Sequence, residues 1–141
     1  MSDPYDDDIL LWSERQSDLL RQIAAGKAIN ERPDWVNIIE EVESVGRSDL
    51  RAVECHLLQA FMPMLKAEAW PNSLSVPARQ SDALLFRSQA RRAFSASMRQ
   101  RIDVAELYAN AVRVLPTSMD GRPPQPVSQT CPMTLDELLA V

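Results

Sequence analysis

With 141 residues, 45% hydrophobic and 25% charged, the chain is long enough to bury an apolar core and needs no disulfide or metal to hold it. Three scattered glycines exclude phosphate-cradling and dinucleotide-binding loops, and the longest apolar runs fall far short of the ~20 residues that span a bilayer. The net charge of −5 is uneven: residues 3–54 hold 13 acidic and 6 basic side chains, whereas residues 79–101 hold six arginines against the single acid Asp82. Such asymmetry points to contact between segments, between subunits or with an outside partner.

The acidic start, Met1 to Asp8, lacks an apolar h-region and does not read as a signal peptide. A first helix is expected from about Asp6–Asp8, because carboxylates suit a helix N-terminus. Its apolar positions Ile9, Trp12, Leu19, Leu20 and Ile23 share one stripe, and Gly26 is the expected stop. Residues 27–33 read as a loop. Asp34 follows Pro33 as the N-cap of a second helix. Trp35, Ile38, Ile39, Val42 and Val45 form its expected core stripe, with Glu40, Glu41 and Glu43 on its polar face. Glu43 and Arg47 stand four residues apart, which favours an ion pair. Gly46 is a possible break, but the apolar series resumes through Leu50, Val53, Leu57, Ala60, Phe61 and Met64. The spacing predicts one long central helix, irregular near Gly46 and kinked at Pro63.

Trp70 to Pro77 reads as a connector. Ser81 or Asp82 is the expected cap of a third helix running through Ala83, Phe86, Ala90, Ala93, Phe94 and Ser97. Asp103 and Glu106 resemble a capping box and open a fourth helix carrying Val104, Leu107, Tyr108, Ala111 and Leu115, stopped by Pro116. Residues 116–132 are proline-rich and irregular. Thr134-Leu-Asp-Glu137 predicts a short terminal helix with Leu138 and Leu139. No segment alternates as a strand. The expectation is an all-α fold: a single-domain helical bundle over residues 1–141, with about four principal helices, a long central one and a short C-terminal one.

Three blocks of the sequence resemble one known family. Tyr5-Asp-Asp-Asp-Ile-Leu-Leu-Trp12, with Gln16 and Leu19-Leu20-Arg21, looks like its opening. Asp34-Trp-Val-Asn-Ile-Ile-Glu-Glu-Val-Glu-Ser-Val-Gly-Arg-Ser-Asp-Leu-Arg51 is similar to its most specific string, which continues to Leu65-Lys66. Cys131-Pro-Met-Thr-Leu-Asp-Glu-Leu-Leu139 is like its ending. The family is the bacterial domain of unknown function twenty-nine. The resemblance implies an all-helical bundle and brings no activity with it. After Lys66 the chain departs from the family's basic, aromatic-rich stretch, and its Arg-Ser-x-Ser-Trp-Arg motif is absent.

Glu40, Glu41, Glu43 and Glu54 with His56 are the one group that imitates a metal site. A di-metal bundle needs inward Glu-x-x-His repeats, and this chain has one histidine and none of them. No nucleophile pairs with His56 in a recognisable motif. No metal or cofactor is therefore expected. Cys55 and Cys131 fit no metal or redox spacing and read as reduced thiols of a cytoplasmic protein. Arg87, Arg91, Arg92, Arg99 and Arg101 could contact phosphates, but neither a recognition helix nor stacking aromatics accompany them, and a solvated face or a surface pairing with the acidic second helix is the expected reading.

The expected role is a protein-interaction or self-associating module without catalysis, a homo-oligomer or the binder of another protein. Its contact residues are expected to be Glu40, Glu41, Glu43 and Arg47, with Arg87, Arg91 and Arg92 as an opposing surface. Nucleic-acid binding through the 79–101 helix is the alternative, a carboxylate-metal enzyme a weaker one, and a membrane partner is not expected.

Overall fold

A computed structural model describes residues 3–141; Met1 and Ser2, the first two residues of the acidic start, lie outside them. The described residues form six α-helices: α1 (Pro4–Asp7), α2 (Ile9–Ala24), α3 (Trp35–Ala69), α4 (Val76–Ala93), α5 (Val104–Arg113) and α6 (Leu135–Leu139), with a 3₁₀ turn at Ala96–Met98. No strand is present among them; one isolated bridge joins Met119 and Arg122. The chain divides into two compact units, Met1–Arg47 and Ser48–Val141, and α3 runs through both.

In the first unit the expected opening helix is two pieces. Asp3 accepts a hydrogen bond from Tyr5 N and caps α1, and Asp8, in a non-helical conformation, accepts from Leu11 N at 3.1 Å and caps α2. Asp8 ends one helix and starts the next because its side chain offers the backbone a partner outside the helical ladder. Gly26, at φ +74°, closes α2: Lys27 N donates to Gln22 O and Gly26 N to Ile23 O, a Schellman ending that needs a left-handed residue.

Of the predicted α2 stripe, Trp12 and Leu19 are buried, together with Gln16, whereas Ile9 is largely exposed. The second correction concerns the start of α3. Trp35, Ile39, Val42 and Val45 were expected in the core and are 39%, 54%, 70% and 63% exposed, with neighbouring Val36 at 79%. The side of α3 that engages the opening helices is instead its polar one. Trp12 Nε1 donates to Asp34 Oδ2 at 3.0 Å, Asp34 N donates to Gln16 Oε1 at 2.8 Å, and Tyr5 Oη donates to Glu41. The Tyr5 and Trp12 rings meet edge to face at 4.9 Å. Hydrogen bonds and two aromatic rings hold this unit where an apolar seam was expected.

The second unit has a conventional core. Val53, Leu57, Ala60, Phe61 and Leu65 of α3 are at most 1% exposed. Ala90, Met98, Ile102, Tyr108, Ala111, Leu138 and Leu139 complete the apolar cluster. The Phe61 and Tyr108 rings pack edge to face at 5.4 Å. The helical backbone of α3 continues without a break through Gly46 and through buried Pro63.

α4 starts at Val76, ahead of the expected Ser81 or Asp82, because Pro77 occupies its first turn, where a missing N–H costs nothing. It ends at Ala93, short of Phe94 and Ser97; Phe94 is extended and a 3₁₀ turn follows. Asp103 caps α5 by accepting from Glu106 N at 3.1 Å, and that helix stops at Arg113, ahead of Pro116. The irregular segment is fastened to the rest of its unit: Gln125 N donates to Ala69 O, Trp70 Nε1 to Arg122 O and Tyr108 Oη to Ser128 O. Asp120 and Gly121, at φ 54° and 73°, make the tight turn inside it. Thr134 and Glu137 form the expected capping box, Glu137 N donating to Thr134 Oγ1 at 3.2 Å and Thr134 N to Glu137 Oε1 at 3.3 Å.

Candidate interaction surfaces

Two groups of charged side chains were singled out in the sequence, one in each unit. In the first unit Glu40 and Glu43, on exposed turns of α3, share Arg47 at 2.7 and 3.7 Å. All three side chains are about half exposed, so the ion pairs add little stability. Glu41 belongs to a different surface. It is half-buried and accepts the Tyr5 hydroxyl, and this bond, more than burial and the nearby carboxylates, pushes the Tyr5 pKa up to about 12. Asn37 Nδ2 and then Trp12 Nε1, both donating to Asp34, hold that carboxyl below its ordinary 3.8.

In the second unit two of the three arginines are engaged with backbone carbonyls, Arg87 with those of α6 and Arg91 with that of Val141 beyond it. Arg87 Nε donates to Leu138 O at 2.9 Å and its Nη2 to Glu137 O at 2.8 Å, while Arg91 Nη1 donates to Val141 O. The last carbonyls of a helix lack partners within it, and guanidinium groups supply them there with favourable charge. Arg99 pairs with Asp136 and lies over the Phe94 ring at 5.5 Å. Arg92 and Arg101 are exposed. Side-chain-to-backbone contacts some fifty residues apart leave no local pattern, so no reading of spacing finds them.

The surface that periodicity misassigned is apolar. Trp35, Val36, Ile39, Val42 and Val45 form a row along the first three turns of α3, flanked by Glu40, Glu43 and Arg47. Trp35, Ile39 and Val42 share one helix face, while Val36 and Val45, nine residues apart, diverge to opposite sides of it. Ile9, Leu10 and Leu11 of α2 are also more than half exposed.

Elsewhere the chemistry is spare. His56 Nδ1 lies 3.3 Å from Gln59 Oε1. Among the described residues no three His, Cys, Asp or Glu side chains come together as a metal-binding group. Burial and then the charge of Glu68 raise the Tyr108 pKa; its hydroxyl donates to Ser128 O within the fold. A cleft of about 320 Å³, open to solvent, lies among Trp70, Leu74, Met119, Asp120 and Arg122. No described helix is long and apolar enough to cross a membrane.

The described residues thus define an all-α protein whose distinguishing surfaces are helix faces. The chain belongs to the family described as Domain of unknown function DUF29, whose profile matches residues 4–141. Among solved structures it is similar to an α-helical protein of unknown function from Rhodospirillum rubrum ATCC 11170. The two are 22% identical, with a TM-score of 0.64 over 99% of this chain and 91% of that one, a likeness of fold. No curated protein matches.

Proposed function

We propose that the chain is an interaction module of the cytoplasm, associating with itself or with another protein and catalysing no reaction. The observation that carries this reading is the row Trp35, Val36, Ile39, Val42 and Val45. Its large apolar side chains stay in solvent although the same helix has a fully buried face further along. The charged rim of Glu40, Glu43 and Arg47 gives the row specificity and limits indiscriminate aggregation. Glu41, Arg87 and Arg91 contribute by holding the helices, and Arg92 is free to take part in contact. Two free cysteines support a reducing compartment.

The test is affinity capture from nuclease-treated lysate with the wild type and Val42→Glu, alongside the solution mass of each. The reading expects an associated species, self or foreign, that the glutamate removes. Identical captured sets and identical monomer masses for both chains would overturn it.

A further inference from the structure

We infer that the second unit carries a binding site for a small oxyanion of the phosphate class, in the cavity between α3 and α4 that Lys66 and Arg79 line. The residue that carries the inference is Arg79. Its Nε is shielded from solvent and has no hydrogen-bond partner, and its Nη2 donates to the thioether sulfur of Met119 at 3.0 Å. A thioether is a weak acceptor and brings no negative charge. The ion pairs among the described residues belong to Arg15, Arg47 and Arg99, so the charge of Arg79 is left uncompensated. A partly buried guanidinium without a counter-ion is costly, and a shielded donor without an acceptor calls for a partner that the chain does not itself provide.

Position strengthens the point. Arg79 stands near the start of α4, whose first turn holds no acid and whose N-cap, Ser75, makes no side-chain cap. Free N–H groups give a helix start a partial positive charge, which an arginine there opposes. The helix therefore gives no reason for a cation at this place, and an anion seated against it does. Lys66 stands in the last turn of α3, where a cation suits the helix end; it is half-buried and makes no ion pair among the described residues.

The cavity holds about 250 Å³, and Gln59, Met62, Asp82 and Phe86 also line it. Sites for drug-sized ligands start at roughly 300 Å³, so the occupant is small. Two cations against the one carboxylate of exposed Asp82 leave a positive balance. The planar fork of a guanidinium matches two oxygens of a phosphate, and an ammonium adds a point charge beside it. Met62 and Phe86 offer an apolar wall to the organic end of a phosphomonoester. Asp82 opposes any anion and keeps binding weak.

Titration calorimetry and thermal melts on the full chain, with inorganic phosphate and with phenyl phosphate at fixed ionic strength, test the site. The wild type should bind at least one of them with submillimolar dissociation, and its melting temperature should rise with that anion's concentration. Arg79→Gln should weaken binding at least tenfold. Without anion the same variant should melt no lower than wild type, because the charge it removes is one the fold does not compensate. Asp82→Asn should tighten binding. Tighter binding of phenyl phosphate assigns the site to a phosphomonoester resting on Phe86; tighter binding of inorganic phosphate assigns it to the free ion. A wild type that shows neither heat nor a melting shift with millimolar amounts of either anion overturns the site. So does an Arg79→Gln chain that binds as the wild type does, or one that melts well below it without anion, which would make Arg79 part of the fold alone.

Discussion

One helical series of positions along α3, residues 35, 39, 42, 46, 50, 53, 57, 60 and 64, has two fates. From Val53 onward its apolar members are buried or half-buried in a core shared with α4, α5 and α6. From Trp35 to Val42 they stand in solvent, and the opening helices dock elsewhere on α3, through Asp34 and Glu41. Apolar periodicity therefore reports that a face will be covered and is silent about what covers it. In the second unit the cover is the same chain; in the first it is proposed to be another.

The comparison breaks most sharply under truncation. Phe61→Ala should cost about 3–5 kcal/mol, since it empties a ring-sized space in a closed core, whereas Val42→Ala should change monomer stability by less than about 0.5 kcal/mol, as at other exposed sites. Chemical denaturation of the two variants checks both values. Equal losses would mean that the row is core after all. Thr134→Ala falls between, at about 1 kcal/mol, because it removes the cap that positions Leu138 and Leu139.

The smallest effects depend on pH and belong to the first unit's polar seam. The folded Asp34 carboxyl titrates below its ordinary 3.8, so its contribution is fully present above that value and fades as pH falls below it through the folded pKa. Tyr5 works in the other direction. With the folded pKa raised from 10.0 to about 12, its contribution is present below pH 10 and fades between the two values. Ultraviolet titration should find a tyrosine ionising near the upper value, and Glu41→Gln should bring it back toward 10. Trp12→Phe should let Asp34 titrate closer to 3.8, an outcome that carboxylate-resolved NMR reads directly.

Much of this fold was legible in the sequence, and the parts that were not share a cause. Asp34 at the head of the second long helix, Asp103, Thr134 with Glu137, and Gly26 announced helix ends because capping is local chemistry between residues a few positions apart. The start of α4 was missed because Pro77 resembles a connector when its role at a first helical turn is overlooked. Arg87 and Arg91 read as a free basic surface because their carbonyl partners lie about fifty residues away. Glu41 read as one of three equivalent acids, and only tertiary structure sets it against Tyr5 while leaving Glu40 and Glu43 to Arg47. The family string from Asp34 to Arg51 contains both the polar latch and the unburied row, so its residues serve docking within the chain and, as proposed, contact beyond it.

The most direct test is affinity capture from nuclease-treated lysate with the wild type and Val42→Glu, paired with their solution masses and thermal melts. The account predicts an associated species, self or foreign, on the wild type. It predicts a variant that has lost that species while melting as the wild-type chain alone does. The same associated species and the same masses for both chains, or a glutamate variant that fails to fold, would contradict it.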